Sequence, residues 1–170
     1  YCVQFMIFNN DKNSIKTLNW WRKKCLKWCF NRVEKNKFGD QKYLDVWPQK
    51  FKKVRVIKNL GAGVAPWNVQ RFTILNSKKI IISENDRKYP LVFFHYHGLR
   101  FFFNNKITFI SSYEISNLAK NKIYKPYVIH LIKIAKKYNL HHGFFKFDIH
   151  YFKMLIKLIF NYNNLFLFRK

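Results

Sequence analysis

Acidic residues are scarce in this chain, which contains 8 Asp and Glu against 33 Lys and Arg in 170 residues and has a formal net charge of +25. Such an imbalance is typical of proteins that bind nucleic acid or an anionic membrane surface. The lysines are spread along the whole chain, however, and enrichment in Lys, Asn, Ile, Phe and Tyr also follows from codon usage in an AT-rich genome. The charge therefore predicts attraction to phosphates or anionic lipid without identifying a partner.

Cysteine is rare as well. Cys2, Cys25 and Cys29 are the 3 cysteines, and an odd number does not form an even disulfide framework. Cys25 and Cys29 lie four residues apart on a predicted helix, where side chains share a face but backbone geometry rarely allows a bridge. The sequence predicts reduced thiols that are buried as small hydrophobes in a reducing compartment.

Long apolar runs and glycine-rich motifs are also missing. No uncharged apolar run approaches the ~20 residues of a membrane-spanning helix. Gly61 and Gly63 are followed by Pro66 instead of a helix, which excludes the P-loop and dinucleotide fingerprints. No Ser-His-Asp or Cys-His motif is present either. The length fits one domain, and the apolar start at residues 3–8 is typical of a strand inside a fold, so we expect a piece of a longer protein.

Hydrophobic periodicity predicts an α/β chain. Two helices are expected first, one over residues 15–33 and a short one that Asp40 caps and Pro48 ends. Helices are also expected over residues 113–120 and 127–138, and the tail from residue 147 favours another. The predicted strands are residues 3–8, 54–57, a hairpin of 72–75 with 79–82, a buried strand 91–94 that ends at His95, and a hairpin-like element at 104–110, with a loop at 61–68.

Three short segments carry the unusual chemistry. Asp40-Gln41 is either a plain N-cap or a carboxylate and amide that bind the hydroxyls of a sugar. Trp67, followed by Asn68, either packs under its loop or offers an apolar face to a sugar ring. His95 is either a residue in an ordinary turn or a ligand of a divalent cation.

The segments GDQ followed by YLDVWP, GAGVAPWN and HYHGLR occur in this order. As a set they resemble the C-terminal half of a bacterial glycosyltransferase group, over residues 3–138. That group has the nucleotide-diphospho-sugar transferase (GT-A) fold and is related to the family 8 enzymes. The resemblance implies a partial GT-A fold, a mixed sheet with flanking helices, without the N-terminal nucleotide-binding half. Residues 1–138 would form the sugar and acceptor side, and residues 139–170 a basic, aromatic, helical tail.

The resemblance also implies roles for single residues. Asp40 and Gln41 would contact the donor sugar near its anomeric carbon, and His95, with His97 as the alternative, would bind Mn²⁺. Gly98 and Arg100 would face the diphosphate, although Arg100 lies one residue short of the family's usual lysine. Glu84-Asn85-Asp86 imitates the metal-binding Asp-x-Asp of the fold, but it lies in the wrong order and is predicted as a turn. Trp67 and Asn68 remain the candidates for sugar or acceptor binding.

The predicted function is therefore metal-dependent transfer of a hexose from a nucleotide-diphospho-sugar to a glycan or lipid-linked acceptor. The isolated fragment is expected to be inactive. We expect a cytoplasmic protein without a specific nucleic-acid partner, in peripheral contact with the inner face of the membrane through its basic tail. The alternative is a non-catalytic basic module that binds nucleic acid or an anionic membrane.

Overall fold

The computed structural model describes residues 1–75, 77–102, 107–109, 113–140, 156 and 165–167. The chain divides into two compact units, Tyr1–Asn59 and Leu60–Lys170. The division thus falls at residue 59, whereas the sequence predicted one domain over residues 1–138 followed by a tail.

The first unit is built on one long helix, α1 (Lys12–Lys27). It begins where the Asp11 carboxylate accepts a hydrogen bond of 2.9 Å from the backbone N–H of Ser14. The helix was predicted to reach residue 33 but ends at Lys27, because Trp28 is extended. The chain then makes a tight turn at Lys35 and Asn36, whose φ angles are +42° and +61°.

A short 3₁₀ helix (Gln41–Val46) and α2 (Trp47–Lys50) follow. Pro48 was predicted to end the helix of this region, but it lies in the first turn of α2, where its missing N–H costs nothing. Trp47 is buried and packs edge-on against Trp21 and Phe8, with ring centroids 5.5 and 5.9 Å away. The strands predicted at residues 3–8 and 54–57 are wrong, because neither segment is a strand of either sheet in the described part of the chain.

The second unit contains two antiparallel sheets of three strands each. The first consists of β1 (Thr73–Leu75), β2 (Ile81–Glu84) and β3 (Arg87–Pro90), which confirms the predicted β1–β2 hairpin. Asn85 and Asp86, with φ angles of +48° and +61°, turn the chain from β2 into β3, as a two-residue hairpin turn requires. Glu84 thus ends β2, and Asn85 and Asp86 form the turn predicted for this segment.

The second sheet consists of β4 (Arg100–Phe102), β5 (Ile107–Phe109) and β6 (Leu165–Leu167). The described strands pair only antiparallel, which differs from the mixed sheet expected from the sequence. β6 lies in the tail that was predicted to be helical. Its apolar residues pair with the free edge of β5, so a long-range contact overrides the local pattern. Most of the tail lies outside the described residues.

The last described helical stretch joins α3 (Asn117–Ala119), a π-helical turn (Lys120–Tyr124) and α4 (Lys125–Lys137). Ser116 caps it through a hydrogen bond of 3.2 Å from the N–H of Ala119, and α4 confirms the helix predicted near residues 127–138. In the π turn the N–H of Lys125 bonds to the carbonyl of Lys120, five residues back. We attribute the wide turn to Pro126, which lacks an N–H and would clash with the carbonyl four residues earlier.

The core of the second unit lies between the first sheet and this helical stretch. Tyr124 is fully buried there and packs edge-on against Phe94 and Tyr96, with ring centroids 5.2 and 5.4 Å away. No helix in the described part of the chain is long and apolar enough to cross a membrane. The core consists of Val64, Val69, Ile74, Ile82, Phe94, Ile115, Ala119, Ile123 and Tyr124.

Removing the hydroxyl from each of two core tyrosines should change the free energy of unfolding in opposite directions. Within the described residues the buried Tyr124 hydroxyl has no hydrogen-bond partner, whereas the Tyr96 hydroxyl donates to the carbonyl of Ile123 at 3.3 Å. Tyr124→Phe should raise the free energy of unfolding by about 1 kcal/mol, and Tyr96→Phe should lower it by about as much. Urea titration of both variants measures this. A loss of stability in Tyr124→Phe would mean that this hydroxyl is satisfied, for example by a buried water.

Candidate functional site

The segment around the two histidines is extended but is not the buried strand that the sequence predicted at residues 91–94. Val92 is 59 % exposed, so the apolar run is not covered on both sides. Its backbone instead follows the loop at residues 61–64. The N–H of Val92 donates to the carbonyl of Gly61 at 2.9 Å, and the N–H of His95 to that of Val64 at 2.9 Å. A single parallel bridge joins Val64 to Phe94.

Side chains alternate along residues 94–97, as they do in any extended segment. Phe94 and Tyr96 point into the core. The Tyr96 ring stacks on that of Tyr127, with centroids 3.9 Å apart, and burial raises the pKa of Tyr96 to about 12. His95 and His97 are exposed. The alternation of apolar and imidazole side chains was visible in the sequence and would have predicted that His95 and His97 act together.

The loop that follows Val64 is fixed by the side chain of Asn68. Its Oδ1 accepts a hydrogen bond of 2.8 Å from the N–H of Ala65, and its Nδ2 donates to the carbonyl of Gly63 at 2.9 Å. Asn68, predicted as a residue for sugar or acceptor binding, thus uses its amide to hold the loop. That loop presents Trp67, which is half-buried.

Trp67 and the two histidines form one exposed group, here called the Trp-His platform (Trp67, His95 and His97). The indole lies 5.4 Å from the His95 ring and 5.7 Å from the His97 ring, centroid to centroid. The imidazoles are nearly parallel, with an interplanar angle of 14° and centroids 6.0 Å apart. Tyr113, which the sequence did not single out, borders Trp67 at 6.3 Å.

The platform leads directly into a turn at Gly98 and the start of β4 at Arg100. Gly98 has a φ of +80°, and the N–H of Leu99 donates to the carbonyl of Tyr96 at 3.2 Å, so glycine is needed for this turn. Arg100 is exposed, and its Nη1 donates to the carbonyl of Leu99 at 3.0 Å. Arg100 forms no ion pair with any described residue, which leaves most of its guanidinium donors for an anion.

The described residues do not by themselves fit an Mn²⁺ site. They contain no group of three or more His, Cys, Asp or Glu side chains arranged to hold a metal ion. His95 and His97 offer nitrogen ligands, whereas Mn²⁺ favours carboxylate, carbonyl and water oxygens. The metal predicted at His95 therefore needs oxygen ligands from beyond the described residues.

Asp40 and Gln41 lie in the first unit. The backbone there is fixed, because the indole Nε1 of Trp21 donates to the carbonyl of Asp40 at 2.9 Å and Gly39 takes a φ of +51°. A Cβ on Gly39 would meet no atom within 4 Å, so this glycine serves the backbone angle and not a close approach. Asp40 was predicted to cap the helix, but its side chain makes no cap hydrogen bond. Within the described residues neither the Asp40 carboxylate nor the Gln41 amide has a hydrogen-bond partner.

A second carboxylate nearby in the sequence behaves differently. Asp45 accepts a hydrogen bond of 2.6 Å from Lys42 Nζ, and that bond lowers the pKa of Asp45. Asp45 is therefore engaged in an ion pair, while the Asp40 carboxylate accepts no hydrogen bond within the described part of the chain. The contrast makes Asp40 the better candidate for ligand binding in this unit.

The thiols differ from the sequence prediction. Cys2 and Cys29 are exposed and Cys25 is half-buried, and all three are free. Because α1 ends before Cys29, the pair does not lie on one helix as predicted. Burial, reinforced by the Cys29 thiol and by Asp40, raises the pKa of Cys25 to about 11.

Comparison with known proteins adds relatives but no activity. No protein-family model and no solved structure matches the chain. It is similar to the uncharacterized protein YfnD of Bacillus subtilis (strain 168), with 30% identity over 131 residues that cover 75% of this chain and 41% of that protein. It is also similar to the uncharacterized protein YfnF of the same strain, with 31% identity over 134 residues, 78% of this chain and 44% of that protein. The chain spans less than half the length of these curated relatives.

The raised pKa of Cys25 leads to a prediction about its reactivity. Only the thiolate is alkylated, so at neutral pH Cys25 should react slowly and its rate should rise about tenfold per pH unit up to about pH 10. Iodoacetamide labelling read by peptide mass spectrometry measures this. The urea-unfolded chain is the control, because its thiols titrate near pH 8.5. A folded-state rate that levels off below pH 9 would contradict the assignment.

Proposed function

We propose that the chain is part of a glycosyltransferase that moves a hexose from a nucleotide-diphospho-sugar to a glycan or lipid-linked acceptor. The observation that carries this proposal is the Trp-His platform, in which an indole and two exposed imidazoles share one surface at 5.4 and 5.7 Å. Free thiols at Cys2, Cys25 and Cys29 fit a reducing compartment, so the proposed enzyme is cytoplasmic.

The platform has the two properties that a sugar-binding surface needs. The half-buried indole of Trp67 offers an apolar face at little entropic cost, because the ring is already packed. The ring nitrogens of His95 and His97 can donate or accept hydrogen bonds to hydroxyl groups. Asn68 acts indirectly in this proposal, since its amide holds the loop that carries Trp67.

The residues after the platform suit the diphosphate. At Gly98 the backbone lacks a side chain, which lets phosphate oxygens approach closely. Arg100 offers a planar fork of donors, and it is exposed. Charge develops on the diphosphate as the bond to the sugar breaks, so cationic donors held in position stabilise the transition state more than the ground state.

In the first unit, Asp40 and Gln41 would bind hydroxyls of a sugar. A carboxylate and an amide side by side supply acceptors and donors together, and both side chains are without partners in the described part of the chain. Trp21 supports them by fixing the Asp40 carbonyl from behind. An Mn²⁺ ion, implied by the family resemblance, would have His95 as one ligand and would need oxygen ligands from beyond the described residues.

Ligand-observed NMR with a panel of nucleotide-diphospho-sugars tests the proposal on the 170-residue chain, because binding is measurable even if turnover is not. Trp67→Ala and His95→Ala should each weaken binding about tenfold, which corresponds to about 1.4 kcal/mol. The matched control for His95→Ala is His130→Ala, since His130 is exposed on α4 away from the platform residues in sequence. It should bind as the parent does.

The carboxylates provide a second matched pair. Asp40→Asn should reduce the saturation transfer to sugar protons, and Asp45→Asn should leave it unchanged. The rival function, a non-catalytic basic module, predicts weak binding that falls with salt and is indifferent to all five substitutions. Equal behaviour of each variant and its control would therefore overturn the proposal.

A further inference from the structure

The exposed side of α1 carries charge of one sign. The helix contains five lysines and one arginine but no acidic residue. At about 100° per residue, four of the lysines fall within an arc of about 60°. We call this row the lysine stripe; it consists of Lys12, Lys16, Lys23 and Lys27, all exposed. It runs for about 22 Å along the helix axis.

The stripe costs the helix stability, because its like charges lie four residues apart. Lys12 precedes Lys16 and Lys23 precedes Lys27 at this spacing, where like-charge pairs disfavour the helix. Within the described residues none of the four lysines forms an ion pair. A surface that supplies negative charge would remove this repulsion.

One flank of the stripe is aromatic. Trp20 follows it on the helix and is half-buried against Phe51 and Tyr43, with ring centroids 5.5 and 6.2 Å away. The ammonium groups of Lys24 and Lys50 lie 5.6 and 5.5 Å from the Trp20 ring centroid. Tryptophan beside lysine is the combination that anchors proteins at a membrane-water interface.

The other flank is aliphatic and open to solvent. Ile15 and Leu26 lie next to the stripe on the helix, and they are 49 % and 72 % exposed. Neither side chain contributes to the core of the first unit, which lies on the Thr17 and Trp21 side of α1. An aliphatic side chain next to lysines gains little from a nucleic acid but is favourably buried among lipid headgroups.

We propose that this face of α1 docks on a membrane surface rich in anionic phospholipid, with the lysine stripe over the headgroups and Leu26 and Ile15 entering the interface. The cations are lysines, which act as point charges toward phosphates, and Arg22 is the only arginine on the helix. The sequence led us to expect membrane contact through the tail, residues 139–170. The present surface is a different one and lies on α1.

Vesicle binding by the 170-residue chain tests this docking surface. The probe is vesicles of phosphatidylcholine with about 30% phosphatidylserine, compared with phosphatidylcholine alone. The triple variant Lys16→Gln, Lys23→Gln, Lys27→Gln should lower partitioning about 100-fold, since each lysine near an anionic surface contributes roughly fivefold. The matched control, Lys125→Gln, Lys133→Gln, Lys136→Gln, removes the same charge from exposed positions on α4 and should change partitioning less than about threefold.

The aliphatic flank has its own control. In addition to the loss from the lysine substitutions, Leu26→Ser should weaken vesicle binding about threefold. Val92→Ser, at a position 59 % exposed in the second unit, should not weaken it. Circular dichroism of the lysine variant checks that its helix content is unchanged. Equal losses in both lysine triples would overturn the proposal, because binding would then reflect net charge alone. Tight binding to phosphatidylcholine alone, or no vesicle binding at all, would also overturn it. The same holds if the lysine triple weakens binding to a single-stranded oligonucleotide but not to vesicles.

Discussion

The candidate site of the second unit depends on a backbone contact, the hydrogen bonds from the N–H groups of Val92 and His95 to the carbonyls of Gly61 and Val64. It holds an extended segment against a loop that is distant in sequence. Once this contact forms, alternation sends Phe94 into the core and His95 to the surface, and the loop brings Trp67 beside the imidazole. The positions of the Trp67 and His95 side chains are thus set by the buried residues of the same two segments.

The two units share a way of presenting polar side chains. In the first, an indole nitrogen fixes the Asp40 carbonyl while the carboxylate stays unengaged. In the second, the amide of Asn68 fixes the loop while the Trp67 face stays accessible. In both cases a side chain other than the one that would meet a ligand holds the backbone: the distant Trp21 in the first unit and the neighbouring Asn68 in the second. Such pre-organisation lowers the entropic cost of binding.

Local patterns predicted the elements that depend on local contacts. The β1–β2 hairpin and α4 follow from alternation and helical periodicity within a few residues. The failures involve partners far along the chain. Residues 91–94 look like a strand buried on two sides, yet Val92 is exposed because the segment pairs with a loop, and β6 forms where a helix was expected because β5 offers it an edge. The GT-A fold and the roles of Asp40 and His95 came from resemblance and remain predictions, while the meeting of Trp67 with the imidazoles needed the structure.

The π turn at Lys120–Tyr124 has a consequence for how the helical stretch tolerates change in length. A π turn is a helix with one residue more than its hydrogen-bond pattern accommodates, and the extra residue rotates everything after it by about 100°. Ala119 before the turn, Ile123 within it, and Val128 and Ala135 after it nevertheless all reach the buried side. The turn therefore works as a phase adjustment between two helical segments: an extra residue is absorbed within one turn, and each segment keeps its own apolar side toward the protein.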